Sequence, residues 1–197
     1  MLQTKNFDMD NYIRIYEDVL DKQMCENIIH KFETSPHQHE SFSEHFANVS
    51  FVQIDLGKHT EWEKEVKHIH NLLLKSVAQY ANDCNIKKNI WPLDFTYESV
   101  RVKRYLPNNQ DQFGLHVDVT NLTNAKRFLA FFIYLDDNEE GQTIFPYFEN
   151  SPIMDEFVSP CKRGNILIFP PMWPWAHAGA KPIRRPKYIV GGYLHYK

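Results

Sequence analysis

The chain has 197 residues, 43% hydrophobic and 14% aromatic, with a net charge of −3. That composition is that of a folded domain with a sizeable core, and so small a net charge excludes a global field that would recruit nucleic acid or an anionic membrane. Met1 to Asp10 lacks the apolar run of a secretion signal, and no stretch reaches the ~18 apolar residues of a membrane span. Cys25, Cys84 and Cys161 are widely spaced and form neither a Cys-x-x-Cys nor a Cys/His zinc pattern, so they read as reduced thiols of a cytoplasmic protein. No repeat or long linker interrupts the sequence, and 1–197 is expected to be one domain.

In chain order, Tyr12 to Tyr16 reads as a short strand. Asp21 is placed to cap a helix running through Phe32, with Met24, Ile28, Ile29 and Phe32 on one face. Ser35 to Phe46 is polar and His-rich and reads as a loop. Val49 to Ile54 is a strand. Thr60 is placed to cap a second helix to about Asn82, in which Val66, Ile69, Leu73, Val77 and Tyr80 recur at helical spacing. The pattern then changes to strands. Val100 to Tyr105 alternates, and a further strand-like segment ends in His116-Val117-Asp118. Phe128 to Leu135 is an apolar run, as in a strand buried on both faces. Gly141 to Pro146, Gly164 to Pro170, His177-Ala178-Gly179 and Lys187 to Val190 complete the series. Helices first and then about eight strands make a mainly β, α+β domain, a sandwich or barrel with helices on one face.

The chemistry concentrates in the second half. His116 and Asp118 lie two residues apart, which in a strand puts them on the same face. His177 follows 61 residues later and Lys187 ten residues after that. Two imidazoles and one carboxylate are the ligand set of a non-haem Fe(II) facial triad, which leaves coordination positions open for other ligands. Lys187 opens an apolar strand, where an ammonium is costly unless it meets an anion. It suits the far carboxylate of a bound 2-oxo acid. A His-x-Asp triplet by itself is unspecific. The remaining histidines do not compete: His68 and His70 point apart on a helix, and His37 and His39 have no partner carboxylate at a recognisable spacing.

The order Tyr105, His116-x-Asp118, Arg127, Tyr134-Leu135-Asp136-Asp137, Gly141 to Pro146, Lys162 to Pro170 and His177-Ala178-Gly179 with Lys187 resembles the prolyl 4-hydroxylase-like branch of the Fe(II)/2-oxoglutarate dioxygenases. The resemblance covers about Val100 to Tyr196, with a weaker match from Ile13 to Glu33. It implies a double-stranded β-helix, or jelly roll, over about 96–197, supported by the helices and strands of about 1–95. It implies that His116, Asp118 and His177 hold Fe(II), and that Lys187 binds 2-oxoglutarate, helped by hydroxyls of Tyr105 and Thr143. O2 is then the second cosubstrate and ascorbate an accessory reductant. Arg127 matches an arginine that contacts peptide substrate in that branch, although a basic residue entering a strand is also a common edge guard. Trp173 and Trp175 either line a substrate groove or anchor their loop in the core. Arg184 and Arg185 are reserve partners for the carboxylate, or more simply exposed turn residues. The sequence departs from the branch at Asn108-Asn109 and Glu140, which stand where glycines are usual, and at Tyr193, where tryptophan is common.

The activity so implied is hydroxylation of an unactivated C–H bond with release of succinate and CO2. A prolyl residue of a peptide or protein is the first substrate, and a free amino acid or small metabolite the alternative. Segments 35–46 and 107–113 are expected to face it. Two other classes stand beside this reading: a non-catalytic jelly-roll binding module, which an intact ligand set disfavours, and a cupin-like metalloenzyme, which would use more histidines.

Overall fold

The computed structural model describes residues 12–44, 48–146 and 156–197. Asp21 caps the first helix: its carboxylate accepts the Met24 N–H at 2.9 Å and opens α1 (Lys22–Glu33), which buries Cys25, Ile28 and Phe32. The second helix, α2 (Glu63–Asp83), buries Ile69, Leu73, Val77 and Tyr80, the expected stripe. Thr60 does not cap it. Thr60–Trp62 forms a 3₁₀ turn, and Trp62 occupies the N-cap position with no side-chain hydrogen bond. Glu63 and Glu65 in the first turn meet the positive end of the helix dipole instead.

Twelve strands form among the described residues, more than the eight or so expected, and three of them come before α2. They are β1 (Arg14–Tyr16), β2 (Glu40–Glu44), β3 (Val49–Asp55), β4 (Phe95–Tyr97), β5 (Arg101–Tyr105), β6 (Gln112–His116), β7 (Arg127–Tyr134), β8 (Asn138–Phe145), β9 (Phe157–Cys161), β10 (Ile166–Phe169), β11 (His177–Gly179) and β12 (Lys187–Tyr196). The expected loop from Ser35 to Phe46 is therefore a 3₁₀ turn, Pro36–Gln38, followed by β2; positions 45 and 46 lie outside the described residues. Its polar sequence hides a strand because β2 pairs only with β3 and has solvent on its other side. What holds it is cross-strand: the Phe42 ring stacks on Phe51 at 5.2 Å, and Gln53 donates to Glu40 at 3.1 Å.

The strands run β1-β10-β7-β12-β5-β3-β6-β11-β8-β9, every pairing antiparallel. β3 makes the corner. Its Val52–Asp55 end pairs with β5 and its Val49–Ser50 end with β6. The result is the nearly closed jelly roll that the resemblance implied.

Period-two alternation gives the central strands two apolar faces. Leu129, Phe131 and Ile133 of β7, Ile166 and Ile168 of β10, and Val190 and Leu194 of β12 face α1 and α2 in one core. The intervening residues Ala130, Tyr134, Leu167, Phe169, Ile189 and Tyr193 face the inside of the roll. This explains why Phe128 to Leu135 is apolar without interruption. The helices thus press the strands that carry the interior site into place.

Phe131 is fully buried between β7 and the helices. Phe131→Ala is expected to cost about 3–5 kcal/mol in urea unfolding. A loss below about 1 kcal/mol would show that this layer is not packed as described.

Candidate metal centre

β6 and β11 pair so that His116 lies directly opposite His177. The two rings are 4.3 Å apart. His116 Nδ1 is 2.8 Å from the Gly114 carbonyl and His177 Nδ1 is 3.1 Å from the Trp175 carbonyl. A carbonyl only accepts, so each Nδ1 carries the proton and each Nε2 keeps a lone pair. Asp118 lies just past the end of β6. Its backbone N–H and that of Val119 both donate to the Pro171 carbonyl, at 3.0 and 3.1 Å. Its Oδ1 accepts the Tyr193 hydroxyl at 2.6 Å.

Those bonds leave His116 Nε2, His177 Nε2 and Asp118 Oδ2 buried with no hydrogen-bond partner. The candidate ligand atoms of the three residues lie within 4.8 Å of one another. Buried polar atoms are normally satisfied, and three that converge on one point fit a metal ion with two nitrogen donors and one oxygen donor. The protonation states agree. Burial alone would raise the Asp118 carboxyl, but His177 and His116 beside it outweigh burial and hold it well below the usual carboxylate range. Burial pushes His177 down to about 4, only partly opposed by Asp118. An ionised carboxylate and a neutral imidazole are the forms that coordinate. Phe113 stacks on His116 at 3.6 Å, and Phe169 meets His177 edge-on at 4.6 Å.

Beside the histidines a narrow cleft runs to Lys187. Lys187 starts β12, opposite Tyr105 of β5, and is 3% exposed. Its Nζ lies 5.5 Å from the Tyr105 ring and 5.9 Å from the Tyr134 ring, with no carboxylate or hydrogen-bond acceptor beside it among the described residues. Burial lowers its pKa. Two glycines make the corridor for its side chain. A Cβ on Gly141 would stand 2.9 Å from Lys187 Cδ, and one on Gly179 would stand 3.6 Å from Nζ. Thr143 lines the same cleft, and its hydroxyl accepts the Tyr134 hydroxyl at 2.8 Å; Ser159 lies 3.0 Å from that same Tyr134 oxygen.

The sequence-derived residues His116, Asp118, His177, Lys187, Tyr105 and Thr143 thus come together. Arg127 stands behind them. Its guanidinium grips Glu98 with two bonds (2.6 and 2.9 Å), donates to the Asp118 carbonyl and lies 3.9 Å over the Tyr193 ring. Trp173 is 73% exposed, while Trp175 packs edge-on against Tyr12 and joins the inner core. Neither lines the cleft. Arg184 is exposed and pairs with Glu139 and Glu140, and Arg185 donates to the Asp137 carbonyl, both away from Lys187. Segment 107–113 is tied down by Asp111, whose carboxylate accepts from Ser50 and from the Leu106 N–H.

Four residues of the site were missed. Tyr193 and Lys103 could have been found by alternation, since Lys187, Ile189 and Tyr193 share one face of β12 and Lys103 and Tyr105 share one face of β5. Tyr134 stands in the sequence as part of an apolar run and of the Tyr134-Leu135-Asp136-Asp137 match, with no role attached to its hydroxyl. Ser159 carries no sequence signal.

Residues 100–195 match the family model of the 2OG-Fe(II) oxygenase superfamily. No curated protein matches the chain by sequence. Among solved structures, the viral collagen prolyl hydroxylase vCPH of Paramecium Bursaria Chlorella virus-1, in its 2OG complex, is similar at 19% identity and TM-score 0.63, over 94% of this chain and 97% of that one. A Pseudomonas putida prolyl-4-hydroxylase aligns at 13% identity and TM-score 0.64, over 94% and 93% of the two chains. A Trichoplax adhaerens prolyl hydroxylase, in complex with a hypoxia inducible factor peptide fragment, aligns at 13% identity and TM-score 0.70, over 94% and 84%.

Titration with Mn(II) under argon is expected to show one tight site per chain, abolished by His116→Ala and by Asp118→Ala. Tyr193→Phe removes only the hydroxyl that orients Asp118 and is expected to weaken binding about ten- to a hundredfold. Unchanged affinity in all three variants would remove the assignment.

Proposed function

We propose that this chain, a prolyl 4-hydroxylase-like 2OG-Fe(II) oxygenase by the match of residues 100–195 and by its fold, holds Fe(II) on His116, Asp118 and His177 and hydroxylates a C–H bond of a prolyl residue. As a 2-oxoglutarate-dependent iron dioxygenase it uses Fe(II), 2-oxoglutarate and O2. The observation that carries the reading is Lys187: a buried ammonium without a counter-ion, in a cleft lined by His116 and His177, whose orphaned Nε2 atoms converge with Asp118 Oδ2.

The chain's own groups divide the work. Lys187 receives the distal carboxylate of 2-oxoglutarate, and the Gly141–Gly179 corridor fixes the direction of its side chain. The Tyr134 hydroxyl, between Thr143 and Ser159, can turn its proton toward the same carboxylate, and Tyr105 closes the opposite wall. Tyr193 and Arg127 orient Asp118. Phe113, Phe132, Phe145 and Phe169 around the histidines keep water from the reacting carbon. When bound, Fe(II) with 2-oxoglutarate and O2 supplies the oxidising power that hydroxylates an unactivated C–H bond, leaving succinate and CO2. The prolyl substrate is supported by the three similar structures described above, prolyl hydroxylases by name, although the epimerase SnoN shares the fold at TM-score 0.64. The complete set of ligand and cation positions speaks against a non-catalytic module. Cys25 and Cys161 are buried thiols that form no disulfide among the described residues, which supports a reducing, cytoplasmic setting. Among the described residues no helix is long and apolar enough to cross a membrane.

The test is succinate formation from 2-oxoglutarate by the Fe(II)-loaded protein, with proline-containing peptides and free amino acids, and mass spectrometry for one added oxygen atom. A protein that binds Fe(II) yet forms no succinate with any of them would refute the enzymatic reading. Lys187→Ala is expected to raise the apparent KM for 2-oxoglutarate about ten- to a hundredfold, the cost of a charge-assisted hydrogen bond. Pyruvate lacks the second carboxylate, and wild-type turnover with it equal to that with 2-oxoglutarate would contradict this role.

A further inference from the structure

The cleft contains a second lysine that the cosubstrate does not account for. Lys103 lies in β5 two residues before Tyr105, on the same face, between Gln53 of β3 and Ile189 of β12. Its Nζ sits 4.6 Å from the Phe51 ring and 5.4 Å from the Phe113 ring, and Phe113 in turn stacks on His116. No ion pair or hydrogen bond reaches Lys103 among the described residues. The acids nearby are engaged elsewhere: Glu98 with Arg127, Asp55 with Arg101, Glu40 with Lys58, and Asp118 with Tyr193 and the histidines. None of the residues lining the cleft is a carboxylate.

Two aromatic rings hold a cation only weakly where water still reaches it. Burial pushes Lys103 down to about 8, with Asp118 pulling the other way, so at neutral pH most of it is still an ammonium that would gain from an anion. One 2-oxoglutarate has one distal carboxylate, and Lys187, closed in at the far end, takes it. Lys103 is the more open of the two lysines and borders the ring that covers His116.

We infer that Lys103 is a specificity-determining residue that receives a carboxylate belonging to the substrate itself. The substrate is then a small acid or a chain end. For a prolyl unit this means free proline or a C-terminal proline, rather than one in mid-chain. The inference rests on the oxygenase reading above and narrows its substrate.

The probes are acid and amide pairs: L-proline with L-prolinamide, acetyl-glycyl-L-proline with its amide, and L-leucine with L-leucinamide. Each is measured as substrate-stimulated succinate formation by the Fe(II)- and 2-oxoglutarate-loaded enzyme. Each is also measured as binding, by calorimetry on the Mn(II)- and 2-oxoglutarate-loaded protein under argon. The acid is expected to exceed its amide about ten- to a hundredfold in kcat/KM and in affinity. Lys103→Met is expected to bring that ratio close to one, and Lys103→Arg to keep it. The ratio compares two ligands on one protein, so a general loss of fold or activity does not move it.

Equal response to acid and amide in the wild type, a ratio retained in Lys103→Met, or stimulation by no acid at all would each overturn the inference. Hydroxylation of mid-chain prolyl peptides independent of Lys103 would overturn it while leaving the prolyl hydroxylase reading intact. Lys103-dependent turnover of L-leucine would support it and remove the prolyl assignment. Failure of every probe together with absence of any Mn(II) binding would instead sink the oxygenase site itself.

Discussion

An ammonium taken out of water without a counter-ion is one of the most costly things a fold can contain. This chain places one at the start of β12 and builds the adjoining elements around it. β5 sets Tyr105 across from it, β8 supplies a glycine where any side chain would block its stem, and β11 supplies another beside its Nζ. The Tyr134, Thr143 and Ser159 hydroxyls join one another within the same layer of the interior. A polar end of this kind is stable only in company with an anion. An anion bound at Lys187 would therefore add to the stability of the folded protein.

The opposite end of the cleft follows a different rule. Around the two histidines the walls are phenyl rings, and each imidazole is held by a backbone carbonyl rather than by a side chain. Backbone partners move little, so the ring orientation follows the backbone of β6 for His116 and of the turn before β11 for His177. The strand register is fixed in turn by the strands behind it, whose outer faces are packed on α1 and α2. Only Asp118 is oriented by side chains, through Tyr193 and the Arg127–Glu98 pair, because it lies beyond the end of its strand where no ladder holds it.

What could be read in the sequence was whatever depends on strong, local patterns. Asp21 and α1, the stripe on α2, the double-faced β7, and the His116, Asp118, His177 and Lys187 set all follow from residue type and spacing. β2 was not legible because a solvent-facing edge strand has no apolar alternation to show; only Phe42 against Phe51 betrays it. Thr60 has the right residue type for a cap, but it opens a 3₁₀ turn that ends in the fully buried Trp62, and Trp62 takes the N-cap position of α2. The departure at Tyr193 was noticed in the sequence without its meaning, which lies in a partner 75 residues away. Arg127 reads in the sequence either as a substrate contact, by resemblance, or as an edge guard; in the fold its fork is occupied by Glu98, a pairing that no spacing along the chain announces.

The segment from Pro171 to Trp175 touches the metal centre twice. Its first carbonyl holds the backbone of Asp118, and its last holds the imidazole of His177. Two donors that belong to distant parts of the chain therefore share one short tether, which carries the exposed Trp173 at its apex. Such wiring makes two of the three donors fail as a unit. If the tether shifts, the carboxylate and one imidazole lose their aim together. His116, held separately by the Gly114 carbonyl, is the one donor of the three that the tether does not govern.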